Sequence, residues 1–145
     1  MTGEQFQQDQ RFDWRFLRNK TERPTAILVD TQAATAANYG VFFIAMAAGV
    51  IEDVWETHKT AGSDAGAVTV DIERLASGVA LDSGTTVLAS ALSLKTTANT
   101  PQRGTLHNDV SRRQFVRGDR LALKDAGTLT AVAHVVVAVQ VRYKL

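Results

Sequence analysis

Three histidines are the residues of this chain best suited to bind a transition metal or to exchange protons near neutral pH. His58, His107 and His134 fall on different predicted strands, and none has the two- or four-residue spacing that sets two ligands on one face. The chain also lacks cysteine, which excludes disulfides and thiolate metal sites. We therefore expect no metal and no cofactor, and we interpret His134 as a hydrogen-bonded residue in the wall of a strand.

Two carboxylate pairs have a spacing compatible with acid–base catalysis, Glu52 with Glu56 and Asp71 with Glu73. Strict alternation would set Glu52, Glu56 and His58 on the face opposite Ile51 and Trp55, and Asp71 and Glu73 opposite Val68, Val70 and Ile72. A solvated outer surface is therefore the simpler interpretation of both pairs. No Gly-x-Ser-x-Gly turn and no phosphate-binding glycine loop is present. We predict that the chain is not an enzyme, and a small hydrolase is our third hypothesis.

A basic cluster surrounds an Arg-Gly-Asp tripeptide at 117–119. This tripeptide matches an integrin-adhesion signal, but Gly118-Asp119 before a strand is also an ordinary turn, which is our interpretation. The cluster, with Phe115 inside it, consists of Arg112, Arg113, Arg117 and Arg120. Contact with a protein, or solvation, is favoured over phosphate binding, because 16 basic against 15 acidic residues create no overall field that attracts nucleic acid or anionic membranes.

The elements that must position these residues are short strands. The 145-residue chain is rich in valine and threonine, which favour pleated, half-buried surfaces, and glycine or Asx clusters separate its apolar runs. The longest run, 129–143, has a wholly apolar face on its odd positions. Turns are predicted at 61–66, 96–101, 117–119 and 125–127, with a possible helical turn within 111–116. The eight predicted strands are 26–31, 39–47, 50–60, 67–75, 85–95, 102–110, 120–124 and 129–143.

This pattern predicts an all-β fold, an antiparallel β-sandwich of jelly-roll type, with a closed barrel as the alternative. The longest apolar stretch, 39–50, is too short to span a bilayer and contains two glycines. The first twenty residues are charged and rich in glutamine, unlike a signal peptide. We expect a soluble protein that contacts neither membrane nor nucleic acid.

Residues 1–24 differ from the rest, and we interpret them as an extended N-terminal arm beside a sandwich domain of residues 25–145. Alternation in an extended chain would set aromatic side chains on one side of the arm and charged ones on the other. Ordering 24 residues costs on the order of 24–48 kcal/mol of backbone entropy, whereas burying four aromatics returns about 2–3 kcal/mol each. We therefore expect neighbouring chains to hold the arm; packing against its own sandwich is the alternative. The predicted contact residues are Phe6, Arg11, Phe12, Trp14, Arg15, Phe16 and Arg18.

Four segments of strands and turns carry a family resemblance: 56–72 (ETHKTAGSDAGAVTVDI), 88–100 (LASALSLKTTANT), 118–123 (GDRLAL) and 127–130 (GTLT). In these segments the chain resembles head-associated decoration (cement) and head-fibre proteins of tailed bacteriophages. The segments cover much of residues 50–140 and leave the arm outside. The resemblance implies a β-sandwich or jelly-roll unit that assembles on a capsid surface, often as trimers, and it implies no catalytic residue.

Two functions follow from the resemblance and the arm. The first is a structural virion protein, a decoration protein on the capsid exterior whose partners are the major capsid protein and further copies of itself, soluble in the host cytoplasm before assembly. Its arm would supply aromatic anchors and arginines for shell carboxylates. The alternative is a tail- or fibre-associated carbohydrate-binding module, with Trp55, Tyr39 or His58 stacking on a sugar.

Overall fold

Two antiparallel sheets pack face to face in the computed structural model, which describes residues 25–31 and 40–144. A 3₁₀ helix, Val110–Arg112, overlaps only the start of the helical turn predicted within 111–116, since Gln114 and Phe115 form a strand. The predicted all-β sandwich is confirmed. The strands are β1 (Thr25–Thr31), β2 (Val41–Ile44), β3 (Gly49–Thr60), β4 (Val68–Leu75), β5 (Thr85–Thr86), β6 (Leu92–Ser93), β7 (Gln102–Arg103), β8 (Gln114–Phe115), β9 (Arg120–Gly127) and β10 (Ala133–Tyr143).

The strand order is nested along the chain. The first sheet has the order β1-β10-β3-β7, with β8 also paired to β3, and the second has the order β2-β9-β4-β5, with β6 also paired to β4. Strands from the start of the chain thus pair with strands from its end, and β1 to β4 alternate between the two sheets, as in a jelly roll. Each sheet has two edges among the described strands, so the closed-barrel alternative is wrong.

The core is centred on β10, the longest apolar run of the sequence. Val135, Val137, Val139 and Val141 are completely buried, which confirms the apolar face predicted on the odd positions of this strand. They belong to one apolar cluster with side chains of the second sheet. Phe115 closes one end of this cluster, with its ring edge-to-face against Phe43 and Tyr143. The members from the second sheet include Val70, Ile72, Leu121 and Leu123.

An irregularity in β3 decides which of its side chains enter the core. Gln140 of β10 pairs with Asp53, whereas the next residue, Val141, pairs with Ile51, so Glu52 is an extra residue in β3. A one-residue bulge of this kind reverses the alternation of the strand beyond it. The predicted assignment of faces is therefore wrong beyond Glu52. Ile51, Val54, Glu56 and His58 are buried, whereas Trp55 is exposed.

Two of the predicted long strands are mostly loop. The predicted strands 85–95 and 102–110 contain only the two-residue strands β5, β6 and β7 and an isolated bridge between Leu88 and Leu106. Gly104 lies so close to Leu88 that an added Cβ would be 2.9 Å from its Cδ2. Close packing and scattered backbone hydrogen bonds, such as those from Ala89 N–H to Thr105 and from Gly104 N–H to Val54, therefore hold this region in place of long ladders.

The turn predicted at 125–127 is also displaced. β9 continues through these residues to Gly127, which pairs with Val68. Gly127 has a φ of 88°, and a Cβ there would lie 1.6 Å from the carbonyl oxygen of Ala67, so glycine is required at the end of the strand. The chain turns only after it.

The sandwich predicts very different costs for the same substitution at two leucines. Leu121 is completely buried in the core, whereas Leu81 is 44% exposed. Leu121→Ala is expected to lower the free energy of unfolding by about 2–5 kcal/mol, because it removes buried methyl groups and leaves a cavity. Leu81→Ala should change it by about 0.5 kcal/mol or less. Urea unfolding followed by fluorescence measures both, and equal effects would contradict the packing of the second sheet.

Candidate functional site

The seven arm residues predicted to contact a partner lie outside the described residues, and so does Tyr39. The positions concerned are Phe6, Arg11, Phe12, Trp14, Arg15, Phe16 and Arg18. The division into an arm of residues 1–24 and a domain of residues 25–145 therefore stays a prediction. The described residues instead offer a surface around Trp55.

Trp55 is the most conspicuous aromatic on the described surface. Its side chain projects from β3, and the residue is 41% exposed. Its neighbour across the ladder is Arg103 of β7. The guanidinium carbon of Arg103 lies 5.9 Å from the centre of the Trp55 ring, within the range of a cation–π contact. We call Asp53, Trp55 and Arg103 together the Trp55 surface.

Asp53 orients both other members of the Trp55 surface. Its Oδ1 accepts hydrogen bonds from Arg103 Nε at 2.8 Å and from the backbone N–H of Val54 at 2.9 Å, and its Oδ2 accepts one from Trp55 Nε1 at 3.0 Å. Burial alone would raise the pKa of this carboxyl, but the hydrogen bonds from Arg103, Trp55 and Val54 outweigh it, and the pKa is lowered. The same ion pair raises the pKa of Arg103. Both groups are therefore charged at neutral pH.

A depression open to solvent adjoins the Trp55 surface. It has a volume of about 440 Å³, and its walls are Asp53 and the segment from Arg103 to Leu106. An exposed indole beside an oriented carboxylate and guanidinium offers stacking together with directional hydrogen bonds. Such a surface can hold a polar ligand with a flat or apolar face, such as a sugar ring, and it carries no activated nucleophile.

Glu56 and His58, beneath this surface, form a buried polar pair. Both side chains are fully buried, and His58 Nδ1 lies 2.9 Å from Glu56 Oε1. The other ring nitrogen, Nε2, lies 3.1 Å from the carbonyl oxygen of Thr96, which can only accept. Nε2 is therefore the donor to this oxygen, and Nδ1 shares its hydrogen bond with Glu56. His58 is inaccessible to a ligand, so its predicted stacking on a sugar is wrong.

The buried pair also fixes the strand that carries Arg103. The side-chain amide of Gln102 donates to Glu56 Oε2 and to the carbonyl oxygen of Ser93. The backbone N–H of Asn99 donates to the carbonyl oxygen of His58 at 2.7 Å. Both ends of the loop between β6 and β7 are thereby tied to β3. Because β7 has only two residues, this network holds Arg103 beside Trp55.

The second carboxylate pair has a structural role as well. Glu73 is completely buried, and its two oxygens accept the backbone N–H groups of Asp82 at 2.8 Å and Gly84 at 2.9 Å. Burial raises the pKa of Asp71, partly offset by hydrogen bonds from the backbone of Ile72 and Leu88. The predicted solvated outer face is thus wrong for Glu56 and Glu73, which the sequence does not distinguish from surface residues.

The Arg-Gly-Asp tripeptide is a structural turn, as predicted. Asp119 is buried, and its Oδ2 accepts from the backbone N–H of Val116 at 3.0 Å and from Arg74 at 3.2 Å. Gly118 has a φ of 89°, which favours glycine at this position. Asp119, the residue that an adhesion receptor would have to contact, is therefore buried.

The basic cluster disperses in the fold. Arg120 donates to the backbone carbonyls of Ala76 and Val79, and Arg112 donates to the hydroxyl of Thr86. Phe115 belongs to the core and offers no exposed ring between the arginines. The cluster therefore lacks the interleaved aromatic surface considered from the sequence.

The three histidines do not converge. His107 Nδ1 accepts the backbone N–H of Asp109 at 3.0 Å. His134 lies in β10, the Val-rich strand expected from the sequence, but it is exposed and has a φ of 51°, so its predicted role as a residue of the wall is wrong. No group of three or more His, Asp or Glu side chains that could hold a metal ion occurs within residues 40–144. No helix of the described part of the chain is long and apolar enough to cross a membrane.

Comparison with solved structures shows a likeness in fold to a phage protein chain. The chain matches no protein-family model, and no curated protein sequence matches it. Its fold is similar to that of a chain in a solved structure titled "Capsid of Ralstonia phage GP4", with a TM-score of 0.60. The alignment covers 84% of this chain and 85% of that one, with 14% sequence identity. What the two chains share is the fold.

Removal of either glutamate from β3 tests the buried pair. Glu56→Ala deprives His58 and Gln102 of their acceptor, so we expect it to lower the free energy of unfolding by about 3–5 kcal/mol. Glu52→Ala, which removes the partially exposed partner of Arg142 at the bulge, should cost about 1 kcal/mol or less. Chemical denaturation of the two variants measures the difference. A mild effect of Glu56→Ala would place that side chain outside the core.

The lowered pKa of Asp53 predicts a pH-dependent contribution to stability. A carboxyl whose pKa is lower in the folded state stabilises the fold above its unfolded pKa, and this stabilisation disappears as the pH falls through the folded pKa. Asp53→Asn is therefore expected to cost about 1 kcal/mol or less near pH 7 and progressively less below about pH 4. Unfolding of the variant and the original protein over a pH series measures this; a cost that grows in acid would contradict it.

Proposed function

We propose that this chain is a structural protein of a bacteriophage virion. The observation that carries the proposal is the fold likeness to a chain from a phage capsid structure over 84% of the present chain. The segments that resemble decoration and head-fibre proteins support the same class independently, since they lie in the strands and turns of the sandwich. A virion protein of this kind performs no catalysis.

Within that class, we propose a decoration (cement) protein on the outer surface of the head. A small jelly roll with a distinct N-terminal segment suits attachment to a shell formed by other subunits. The partners would be the major capsid protein and further copies of this chain, in a trimer. Repetition around symmetry axes lets weak individual contacts add up to stable attachment. Before assembly, the protein would be soluble in the host cytoplasm.

The proposed attachment element is the arm, residues 1–24. Its aromatic side chains would fill apolar pockets of neighbouring subunits, and its arginines would pair with carboxylates on the shell. The composition of this segment supports the assignment, because its nine charged side chains and four aromatics contrast with the Ala-, Val- and Thr-rich remainder of the chain. The anchors would be Phe6, Phe12, Trp14 and Phe16, with Arg11, Arg15 and Arg18 as the basic contacts.

Arm variants test this function on particles. Deletion of residues 1–23 should leave a folded sandwich that no longer sediments with heads lacking the protein. The triple variant Phe12→Ala, Trp14→Ala, Phe16→Ala should bind heads at least roughly a hundredfold more weakly, given the usual value of buried aromatic side chains. The matched control is the triple variant Gln5→Ala, Gln7→Ala, Gln8→Ala. Unchanged binding by the deletion variant would refute the role of the arm, and absence of any binding by the full chain would refute decoration.

A second candidate function is carbohydrate binding by a tail- or fibre-associated module. The observation that favours it is the Trp55 surface, an exposed indole beside an oriented ion pair and an open depression. Of the three residues predicted to stack on a sugar, Trp55, Tyr39 and His58, Trp55 is the one that is exposed on the described surface. Screening of the full chain on a glycan array, with Trp55→Ala as the control, tests this function. A glycan signal lost in Trp55→Ala, combined with no attachment to heads, would favour the module over the decoration protein.

A further inference from the structure

Three exposed apolar side chains lie together at one end of the sandwich. Ile44 is 58% exposed, Met46 is 73% exposed and Val116 is 60% exposed. They lie on adjoining segments, because the backbone of Ala45 exchanges two hydrogen bonds of 2.8 Å with the turn that follows Val116, one with Gly118 and one with Asp119. We call Ile44, Met46 and Val116 the apolar patch.

The patch continues an open strand edge. β2 is the last strand of the second sheet on this side among the described strands, and it pairs only through its other edge, with β9. An edge strand leaves backbone N–H and C=O groups free to pair with another extended segment. An extended peptide with apolar side chains on one face would therefore meet both hydrogen-bonding groups and the apolar patch, as in β-strand addition.

The chain enters the sandwich at this same end. β1 begins at Thr25, which pairs with Val141, close to the end of β10. The neighbouring pair of Tyr143 and Gly49, and the pair of Ile44 and Arg120, mark the same end in the two sheets. Thr25, to which the preceding residues are joined, thus lies at the same end of the sandwich as the apolar patch.

We propose that the apolar patch and the open edge of β2 bind the aromatic stretch 12–16 of a neighbouring copy of this chain. In an extended conformation, residues 12–16 would set Phe12, Trp14 and Phe16 on one side and so match an apolar patch beside an open strand edge. Linked in this way, each copy gives its arm to one neighbour and receives an arm from another, and such a contact can close into a ring. This inference rests on the proposed function, because it names the partner of the arm.

The course of the chain favours a neighbouring copy over the same copy. β2 runs toward the end where Thr25 lies, and an arm that reached β2 by the shortest route would run toward Thr25 as well, parallel to β2. Every described strand pair is antiparallel, and parallel pairing is slightly less stable per residue. The arm of another copy has no such restriction and can add to β2 in the antiparallel direction.

Crosslinking between differently labelled chains tests the proposal directly. The chain has no cysteine, so two variants of the full chain, Asp13→Cys and Met46→Cys, each carry one thiol. We expect a short bismaleimide to join them into a covalent heterodimer when the two variants are mixed. The matched control is Ser63→Cys, an exposed position in the loop at the opposite end of the sandwich, which should yield no product above background with Asp13→Cys.

A second measurement uses the strength of self-association. Met46→Glu should weaken oligomer formation in sedimentation velocity by roughly tenfold to a hundredfold, whereas Met46→Leu should preserve it. Because Met46 is exposed, neither variant is expected to change the thermal midpoint of unfolding.

The outcomes separate this inference from the proposed function. Two results would overturn the inference. One is that the double variant Asp13→Cys, Met46→Cys forms crosslinks only within single chains. The other is that neither this variant nor the mixture of single variants forms crosslinks. Crosslinks between chains, with loss of the oligomer in Met46→Glu, would support it. If the arm deletion abolishes attachment to heads but no interchain crosslinks form, the arm binds the shell and not another copy. Interchain crosslinks without attachment to heads would instead contradict decoration.

Discussion

The first sheet depends on the pairing between β3 and β10. The extra residue in β3, Glu52, determines which side chains of this strand enter the core and which face solvent. Because the alternation reverses at this point, a carboxylate and an imidazole enter the interior while an indole leaves it. The interior then has to satisfy Glu56 and His58, which it does with the amide of Gln102 and the carbonyl oxygen of Thr96. A local change of register thus generates both the buried polar network and the Trp55 surface above it.

The loops depend on buried carboxylates in the same way. Glu73 holds the backbone of the loop after β4, Asp119 holds the turn before β9, and Glu56 holds the segment between β6 and β7. In each case the carboxyl oxygens accept hydrogen bonds from N–H groups that would otherwise lack partners in the interior. Short strands can therefore be held in place with little ladder pairing, and the positions of Arg103 and Val116, at two separate surfaces, follow from these anchors.

The fold is largely readable from the sequence wherever the period of two is unbroken. The odd positions from 135 to 141 and the even positions 68, 70 and 72 are buried as the pattern predicts, because no extra residue interrupts the alternation within these two stretches. The bulge at Glu52 and Asp53 carries no glycine or proline to mark it, so the faces of Trp55, Glu56 and His58 cannot be read correctly from alternation alone. Likewise, Glu73 is buried because the loop that follows β4, residues 76–84, folds back over it, and the alternation of the strand does not indicate such a contact. The apolar patch cannot be predicted from the sequence for the same reason, because the tertiary fold brings Ile44, Met46 and Val116 together.

The order of the strands in the sheets also constrains when the chain can fold during its synthesis on the ribosome. β10 lies between β1 and β3, so the central position of the first sheet is filled by the strand that is synthesised last. Until it emerges, β1 and β3 have no partner between them, and the valines that complete the interior are still missing. In a non-local topology of this kind, the chain loses a large loop-closure entropy before the long-range contacts that offset this loss can form. Nascent chains must therefore remain unassembled through most of translation, and the hydrophobic centre can close only after residue 141 has left the exit tunnel.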